Sequence, residues 1–122
     1  MSREIILSTV SFHLPSRKET LESNLERAHE YVEEAMERDS DICCLPEFFT
    51  VFGVEDYDKA LSESISQTKS ILDGFAKFAA KGKLYLIINI PEKEGEFIFN
   101  TAFLFDRNGE VIGKYRKTHL AP

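Results

Sequence analysis

Residues 83–90 read KLYLIINI, an apolar run without alternation that stops just before Pro91. Residues 42–45, ICCL, form a second such run, which is followed by Pro46. Continuous apolar runs of this length are typical of strands that are buried on both faces of an α/β sheet. Because proline cannot donate a hydrogen bond to a central ladder, each strand is predicted to end where its proline stands. The two runs therefore predict the middle of an α/β sheet.

The segments on either side complete this sheet and supply helices. Residues 4–12 are rich in β-branched and aromatic types and are predicted to form the first strand. Apolar residues recur at helical spacing over residues 18–38 and again over 65–79. Residues 97–105 and 110–117 flank an Asp-Arg-Asn-Gly turn, a strong hairpin signal. The predicted order is β-α-β-α-β and then a β-hairpin, with two helices on one sheet face.

The second sheet face has no predicted cover. The apolar strands require burial on both faces, and two helices cover only one of them. We therefore expect the bare face to associate with another sheet, either in a homo-oligomer or in a complementing C-terminal segment.

Composition narrows the class of protein. The 122 residues have 21 acidic and 15 basic side chains, a net charge of −6, and are 43% hydrophobic. This is typical of a globular domain and argues against binding nucleic acid or an anionic membrane by bulk charge. No apolar run approaches the ~18 residues of a transmembrane helix. Two adjacent cysteines give no disulfide framework, so a cytoplasmic location is predicted, and no metal or other cofactor is expected.

Glu47 is the first candidate for chemistry. It comes just after the strand at 42–45, and ligands of open α/β sheets gather at the carboxyl ends of strands. The segment 48–61 that follows is aromatic, then acidic, and is predicted to be irregular. Among its phenylalanines the Glu47 carboxyl is expected to be partly desolvated, with a raised pKa that suits a general base. A helix-capping or surface glutamate is the alternative, and the local sequence alone favours it.

Lys117 is the second candidate. It lies in GKYRKTHL at residues 113–120, where strand alternation puts Tyr115, Lys117 and His119 on one face. One basic residue can thus point into a site while its neighbours stay in solvent. The alternative is a charged edge strand that discourages aggregation.

Three further polar side chains interrupt apolar strands. Cys43 and Cys44 are the only thiols, and their apolar neighbours predict that both are buried and unreactive. Strand alternation sends Cys44 to the face opposite Glu47, so a small hydrolase that uses this pair is a minor alternative. Asn100 lies in an aromatic strand, and because a buried amide needs partners it is predicted to fix a loop or line a pocket.

Three motifs occur in a fixed order along the chain. They are DICCLPEFF at residues 41–49, FNTA at 99–102 and YRKTHL at 115–120. Together with the hairpin at 106–113 they resemble the nitrilase, or carbon–nitrogen hydrolase, superfamily. The resemblance covers essentially the whole chain, and the order of the motifs makes it specific.

The resemblance implies an amidase- or nitrilase-like enzyme that acts on non-peptide C–N bonds of a small amide or N-carbamoyl substrate through a Glu-Lys-Cys triad. Glu47 matches the general base, and Lys117 matches the lysine that stabilises the oxyanion. The residues expected to line the substrate pocket are Phe48, Phe52, Asn100, Tyr115 and His119.

The resemblance also implies a larger fold. The family forms an αββα sandwich of two sheets, and residues 1–122 match its N-terminal half. The nucleophilic cysteine of the family follows the lysine by a few tens of residues, and none of the five residues after Lys117 is a cysteine. We expect the C-terminal part to be absent and the chain to be inactive alone. The alternative is a non-catalytic half-fold that serves as a binding or assembly module.

Overall fold

The computed structural model describes residues 4–13 and 18–117. The strands in these ranges are β1 (Leu7–Thr9), β2 (Ile42–Cys44), β3 (Tyr85–Glu94), β4 (Phe97–Phe105) and β5 (Val111–Arg116). The helices are α1 (Leu21–Glu37), α2 (Tyr57–Ser66) and α3 (Thr68–Gly82), with a short 3-10 turn at Phe49–Val51. The strands form one sheet in chain order, parallel from β1 to β3 and antiparallel from β3 to β5.

The predicted α/β order is confirmed, with one helix more than the two expected. The segment 48–61, predicted to be irregular, contains the beginning of α2. The Asp56 carboxylate caps this helix by accepting a hydrogen bond from the Lys59 amide at 3.1 Å. The acidic residues that indicated a loop therefore start a helix, and the count of two helices is corrected to three.

Strand β3 also runs further than predicted, because Pro91 does not end it. The Ile87 carbonyl faces β2 and accepts a bond from Leu45 N at 3.0 Å. Alternate residues of a strand point their main-chain groups the same way, so Pro91 also faces the β2 side. Since β2 has already ended there, the missing N–H of Pro91 costs no ladder bond. The strand continues to Glu94 and turns directly into β4.

The main hydrophobic core lies between the helices and one face of the sheet. Val32 of α1 and Phe75 of α3 are fully buried there, together with Leu86, Ile88 and Ile90 from alternate positions of β3. The residues between them on β3 project from the other face and are only half-buried.

We call that other side the open face. It is defined by five side chains that project from this same face, one from each strand, which are Leu7, Ile42, Ile87, Leu104 and Tyr115. Leu7 is 61% exposed and Tyr115 is 63% exposed, so no described element covers this face. The expectation of one bare, apolar sheet face agrees with this arrangement.

Candidate active site

Glu47 is the centre of a cluster of three hydrogen-bonded side chains. Asn100 Nδ2 donates to Glu47 Oε1 at 2.7 Å, and Lys117 Nζ donates to the same oxygen at 2.8 Å. Asn100 and Lys117 follow Glu47 by 53 and 70 residues along the chain. The structure thus joins both residues predicted to be catalytic with one of those predicted to line the pocket.

Each member of the cluster is held by a different part of the sheet. Glu47 follows β2 at the carboxyl end of the parallel strands, after the Pro46 that interrupts the ladder. Asn100 lies in β4, and its carbonyl accepts a hydrogen bond from the Lys117 amide at 2.8 Å. That main-chain bond sets the point from which the Lys117 side chain reaches Glu47.

The pKa of Glu47 is lowered from its ordinary value, first by the hydrogen bond from Lys117 and then by the one from Asn100. The expectation of a raised pKa is therefore wrong for this arrangement. The Glu47 side chain is 54% exposed, and Phe49 and Phe52 pack against other rings rather than over it. Phe49 is buried against Phe75, with ring centroids 5.8 Å apart, and so does not desolvate the carboxyl.

Two other described residues that were predicted to line the pocket are not found in the hydrogen-bonded cluster around Glu47. The ring of Phe52 packs edge-on against Phe12, with centroids 5.7 Å apart, on the helix side of the sheet. Tyr115 lies on the open face and is largely exposed. His119 lies outside the described residues.

Neither described thiol has the environment of a nucleophile. Cys43 is fully buried in the core, and burial raises the pKa of its thiol to about 11. Cys44 is half-buried on the open face beside Ile87, and burial raises its pKa too. The raised pKa keeps both thiols protonated near neutral pH. The prediction of burial is confirmed for Cys43, whereas Cys44 is more exposed than expected.

Asn89 is a residue of this region that the sequence analysis missed. Its Oδ1 accepts a hydrogen bond from the Phe48 amide at 2.8 Å. Phe48 is half-buried and adopts the left-handed conformation, with φ 52 and ψ 36. The sequence does contain one sign of this role, because Asn89 is an amide inside the apolar run of residues 83–90. A polar group in a buried strand needs a hydrogen-bond partner.

A second ionic cluster occupies the helix-facing side of β3 to β5. Glu92 accepts hydrogen bonds from Thr101 Oγ1 at 3.0 Å and Arg116 Nε at 2.8 Å, and it also pairs with Lys114. Burial acts to raise the pKa of Glu92, but these bonds outweigh it, so the pKa is lowered. The basic neighbours of Lys117 are thus held in ion pairs on the opposite face, rather than in free solvent as predicted.

The described residues contain no group of three or more His, Cys, Asp or Glu side chains placed to hold a metal ion. Among the helices of residues 4–13 and 18–117, none has both the length and the apolar character needed to cross a membrane.

Similar proteins point to one family. The carbon–nitrogen hydrolase family model matches residues 10–122. The deaminated glutathione amidase of Dictyostelium discoideum is 27% identical over 107 residues, which cover 81% of this chain and 37% of that protein. The omega-amidase of Saccharomyces cerevisiae is 32% identical over 105 residues, covering 80% of this chain and 36% of that protein. The chain therefore spans about a third of the length of these curated relatives.

The fold is shared with a solved amidase. A cysteine-to-alanine mutant of the amidase from Nesterenkonia sp. AN1, in complex with butyramide, matches with a TM-score of 0.76 at 21% identity, covering 97% of this chain and 44% of that one. A glutamate-to-glutamine mutant of the same amidase shows covalent addition of the acetamide moiety of fluoroacetamide at the active site cysteine. The sheet and helices described above are consistent with half of a nitrilase-like fold. Because the family model spans nearly all of its residues, the chain belongs to the carbon–nitrogen hydrolase family.

Proposed function

We propose that this chain carries the glutamate and lysine of an amidase-like active site that hydrolyses a small amide or N-carbamoyl compound. The observation that carries the proposal is the single carboxylate oxygen of Glu47 that binds both Lys117 and Asn100. A merely solvated glutamate has no need of two donors from distant strands. Family membership adds the reaction class, hydrolysis of a carbon–nitrogen bond.

Glu47 is proposed to act as the general base. Its Oε1 is engaged by two donors, and among the described residues Oε2 has no hydrogen-bond partner. Oε2 is thus available to take a proton while Oε1 fixes the orientation of the carboxylate. A segment packed on the open face would exclude water from Glu47, and the lost solvation would raise its pKa towards the range that suits a base.

Lys117 is proposed to stabilise the oxyanion. An ammonium group donates up to three hydrogen bonds, and one of them goes to Glu47. A second N–H can therefore meet the negative oxygen that forms when the substrate carbonyl becomes tetrahedral. A preorganised donor at this position contributes about 10²–10³ in rate.

The nucleophile is proposed to be a cysteine outside these 122 residues, on a complementing C-terminal segment that packs on the open face. The thiol gives its proton to Glu47 and forms a bond to the substrate carbon. The C–N bond then breaks, and the amine leaves with the proton that Glu47 returns. Water, deprotonated by Glu47, hydrolyses the thioester and restores the thiol. The reaction of the Nesterenkonia amidase with fluoroacetamide at its active site cysteine supports this assignment.

The test is ammonia release from butyramide by the gene product that contains these residues. Glu47→Gln is expected to lower kcat at least about 100-fold, because general base catalysis is lost. Glu94→Gln is the matched control, since Glu94 is 68% exposed and pairs with Arg116 outside the site. It should change kcat less than about twofold. Full activity in Glu47→Gln would refute the proposed role.

A binding or assembly module is the second candidate function. It is favoured by the exposure of the open face, where Leu7 and Tyr115 are 61% and 63% exposed. A gene product that hydrolyses no amide, together with stable self-association of the 122-residue chain, would support this candidate. We also propose a cytoplasmic location, because the free thiols of Cys43 and Cys44 fit a reducing compartment.

A further inference from the structure

We infer that Asn89 is a positioning residue for Glu47, whose side-chain amide holds the next peptide in a left-handed conformation and so aims the carboxylate at Lys117. This inference rests on the proposed role of Glu47. Three features of the fold support it: the backbone conformation of Phe48, the buried neighbours of Asn89 in β3, and the placement of two asparagines on neighbouring strands.

The backbone at Phe48 needs an external support. A residue with a Cβ enters the left-handed region only at a conformational cost, and aromatic residues do so rarely. Asp39 and Lys83 are the other described non-glycine residues with positive φ, and both lie at helix C-termini, where this conformation is usual. Phe48 instead precedes a 3-10 turn and has no side-chain cap. Its conformation therefore depends on a contact from elsewhere in the fold.

Asn89 supplies that contact from a rigid position. It lies in β3 between Ile88 and Ile90, which are both fully buried in the core. The Phe48 amide can only donate, so the atom 2.8 Å away is the carbonyl oxygen of the Asn89 side chain. The last main-chain hydrogen bond between β2 and β3 runs from the Leu45 amide to the Ile87 carbonyl at 3.0 Å. The Asn89 side chain thus extends the contact between these segments beyond the last ladder bond.

Two amides hold Glu47 from adjacent strands. Asn89 lies opposite Ala102 in the β3–β4 ladder, and Asn100 lies on the same face of β4, two residues before Ala102. Asn100 binds the Glu47 carboxylate, whereas Asn89 binds the peptide on its C-terminal side. The Glu47 side chain is thus held at its backbone and at its carboxylate, so it loses little conformational freedom on reaching the transition state. Catalysis is efficient when the reacting groups are positioned in advance in this way.

Asn24 provides the matched control, because it supports the same loop without touching the Glu47 peptide. It is fully buried, and its Nδ2 donates to the Thr50 carbonyl at 3.2 Å and to the Phe52 carbonyl at 2.9 Å. A purely structural role for Asn89 predicts that Asn89→Ala and Asn24→Ala act alike. A positioning role predicts that only Asn89→Ala alters Glu47.

The experiment is an NMR titration of the Glu47 carboxyl in the 122-residue chain, with hydrogen exchange of the Phe48 amide. Asn89→Ala is expected to raise the Glu47 pKa towards its ordinary value, because the contact with Lys117 loosens. The Phe48 amide should exchange on the order of fivefold faster, as for the loss of one hydrogen bond. Asn24→Ala should lower the melting temperature and leave the Glu47 pKa low. An unchanged Glu47 pKa in Asn89→Ala, or an equal rise in Asn24→Ala, would overturn the inference.

A second test measures the effect of Asn89→Ala in two variants of Phe48. Phe48→Ala and Phe48→Gly both remove the ring, but only glycine adopts a positive φ without cost. Asn89→Ala should therefore raise the Glu47 pKa less in the Phe48→Gly background than in Phe48→Ala. Equal rises in both backgrounds contradict the inference. These readouts need no enzymatic activity, so they stand apart from the Glu47→Gln assay, which alone decides the proposed function.

Discussion

The substitution Lys117→Met tests whether the ion pair between Lys117 and Glu47 serves function or the stability of the fold. The substitution removes the ammonium group that donates to Glu47 Oε1 at 2.8 Å and keeps most of the apolar stem. The two side chains are 38% and 54% exposed, so solvent screens their attraction. Pairs of this kind contribute about 0–1 kcal/mol to stability. We therefore expect the free energy of unfolding of Lys117→Met at pH 7 to fall by less than about 1 kcal/mol.

The pH dependence of the same variant follows from the Glu47 pKa. Because the folded state lowers this pKa, the pair contributes stability above the ordinary pKa of an unfolded glutamate, about 4.3. That contribution is lost as the pH falls through the lower pKa of the folded state. Lys117→Met should show a smaller loss of stability over this acidic range, since its Glu47 pKa lies closer to the ordinary value.

Urea denaturation at pH 7 and at a series of pH values down to about 3 measures both effects. Lys114→Met is the matched control, because Lys114 is 41% exposed, like Lys117, but its partner Glu92 is only 13% exposed. Losing a partner of a more buried carboxylate should cost more than losing Lys117. If the proposed function holds, Lys117→Met should also lower the kcat of amide hydrolysis about 10²–10³-fold. A loss of stability above about 2 kcal/mol in Lys117→Met would show that the ion pair is structural and would contradict a mainly functional role for Lys117.

Two further predictions concern the packing of the chain. His29 contacts the Phe75 ring edge-on and the tilted Phe78 ring, with ring centroids 5.0 and 5.2 Å apart. Burial lowers the pKa of His29 despite the opposing effect of Glu33. The stability that the neutral His29 ring contributes should be fully present above the ordinary histidine pKa of about 6.5 and should be lost as the pH falls below it. Urea denaturation at pH 5 and 7.5 should therefore show a smaller difference in the free energy of unfolding for His29→Leu than for the unsubstituted chain. The open face predicts that the 122-residue chain self-associates or binds a hydrophobic dye, as measured by size-exclusion chromatography and dye fluorescence. A monomer that binds no dye would contradict that expectation.

Local patterns predicted most of the architecture. The strand at 97–105 has the bounds that the alternation and turn residues indicated. The apolar runs at 42–45 and 83–90 lie in β2 and β3, as predicted. Helix α2 was missed because six of its ten residues are polar, so its apolar period is weak. Its start depends on the Asp56 cap, a single side chain that also occurs in loops.

The candidate site was predicted only as separate residues. The order of the motifs identified Glu47 and Lys117 as candidates. The hydrogen bond between their side chains, however, follows from the register of β3, β4 and β5. The lowered pKa of Glu47 was not foreseen, because the direction depends on whether the neighbouring rings turn toward the carboxyl or into the core. The role of Asn89 was also hidden, since its partner lies 41 residues away.

The strands, their order, the family and the two principal candidate residues could all be predicted from the sequence, because hydrophobic period, turn residues and short motifs involve neighbours along the chain. Which polar atoms form hydrogen bonds became clear from the three-dimensional fold alone. Asn89 reaches Phe48, and Asn100 and Lys117 share one oxygen of Glu47, because strand pairing brings residues 41 to 70 positions apart within 3 Å. Hydrogen bonds require that distance, and no local pattern specifies it.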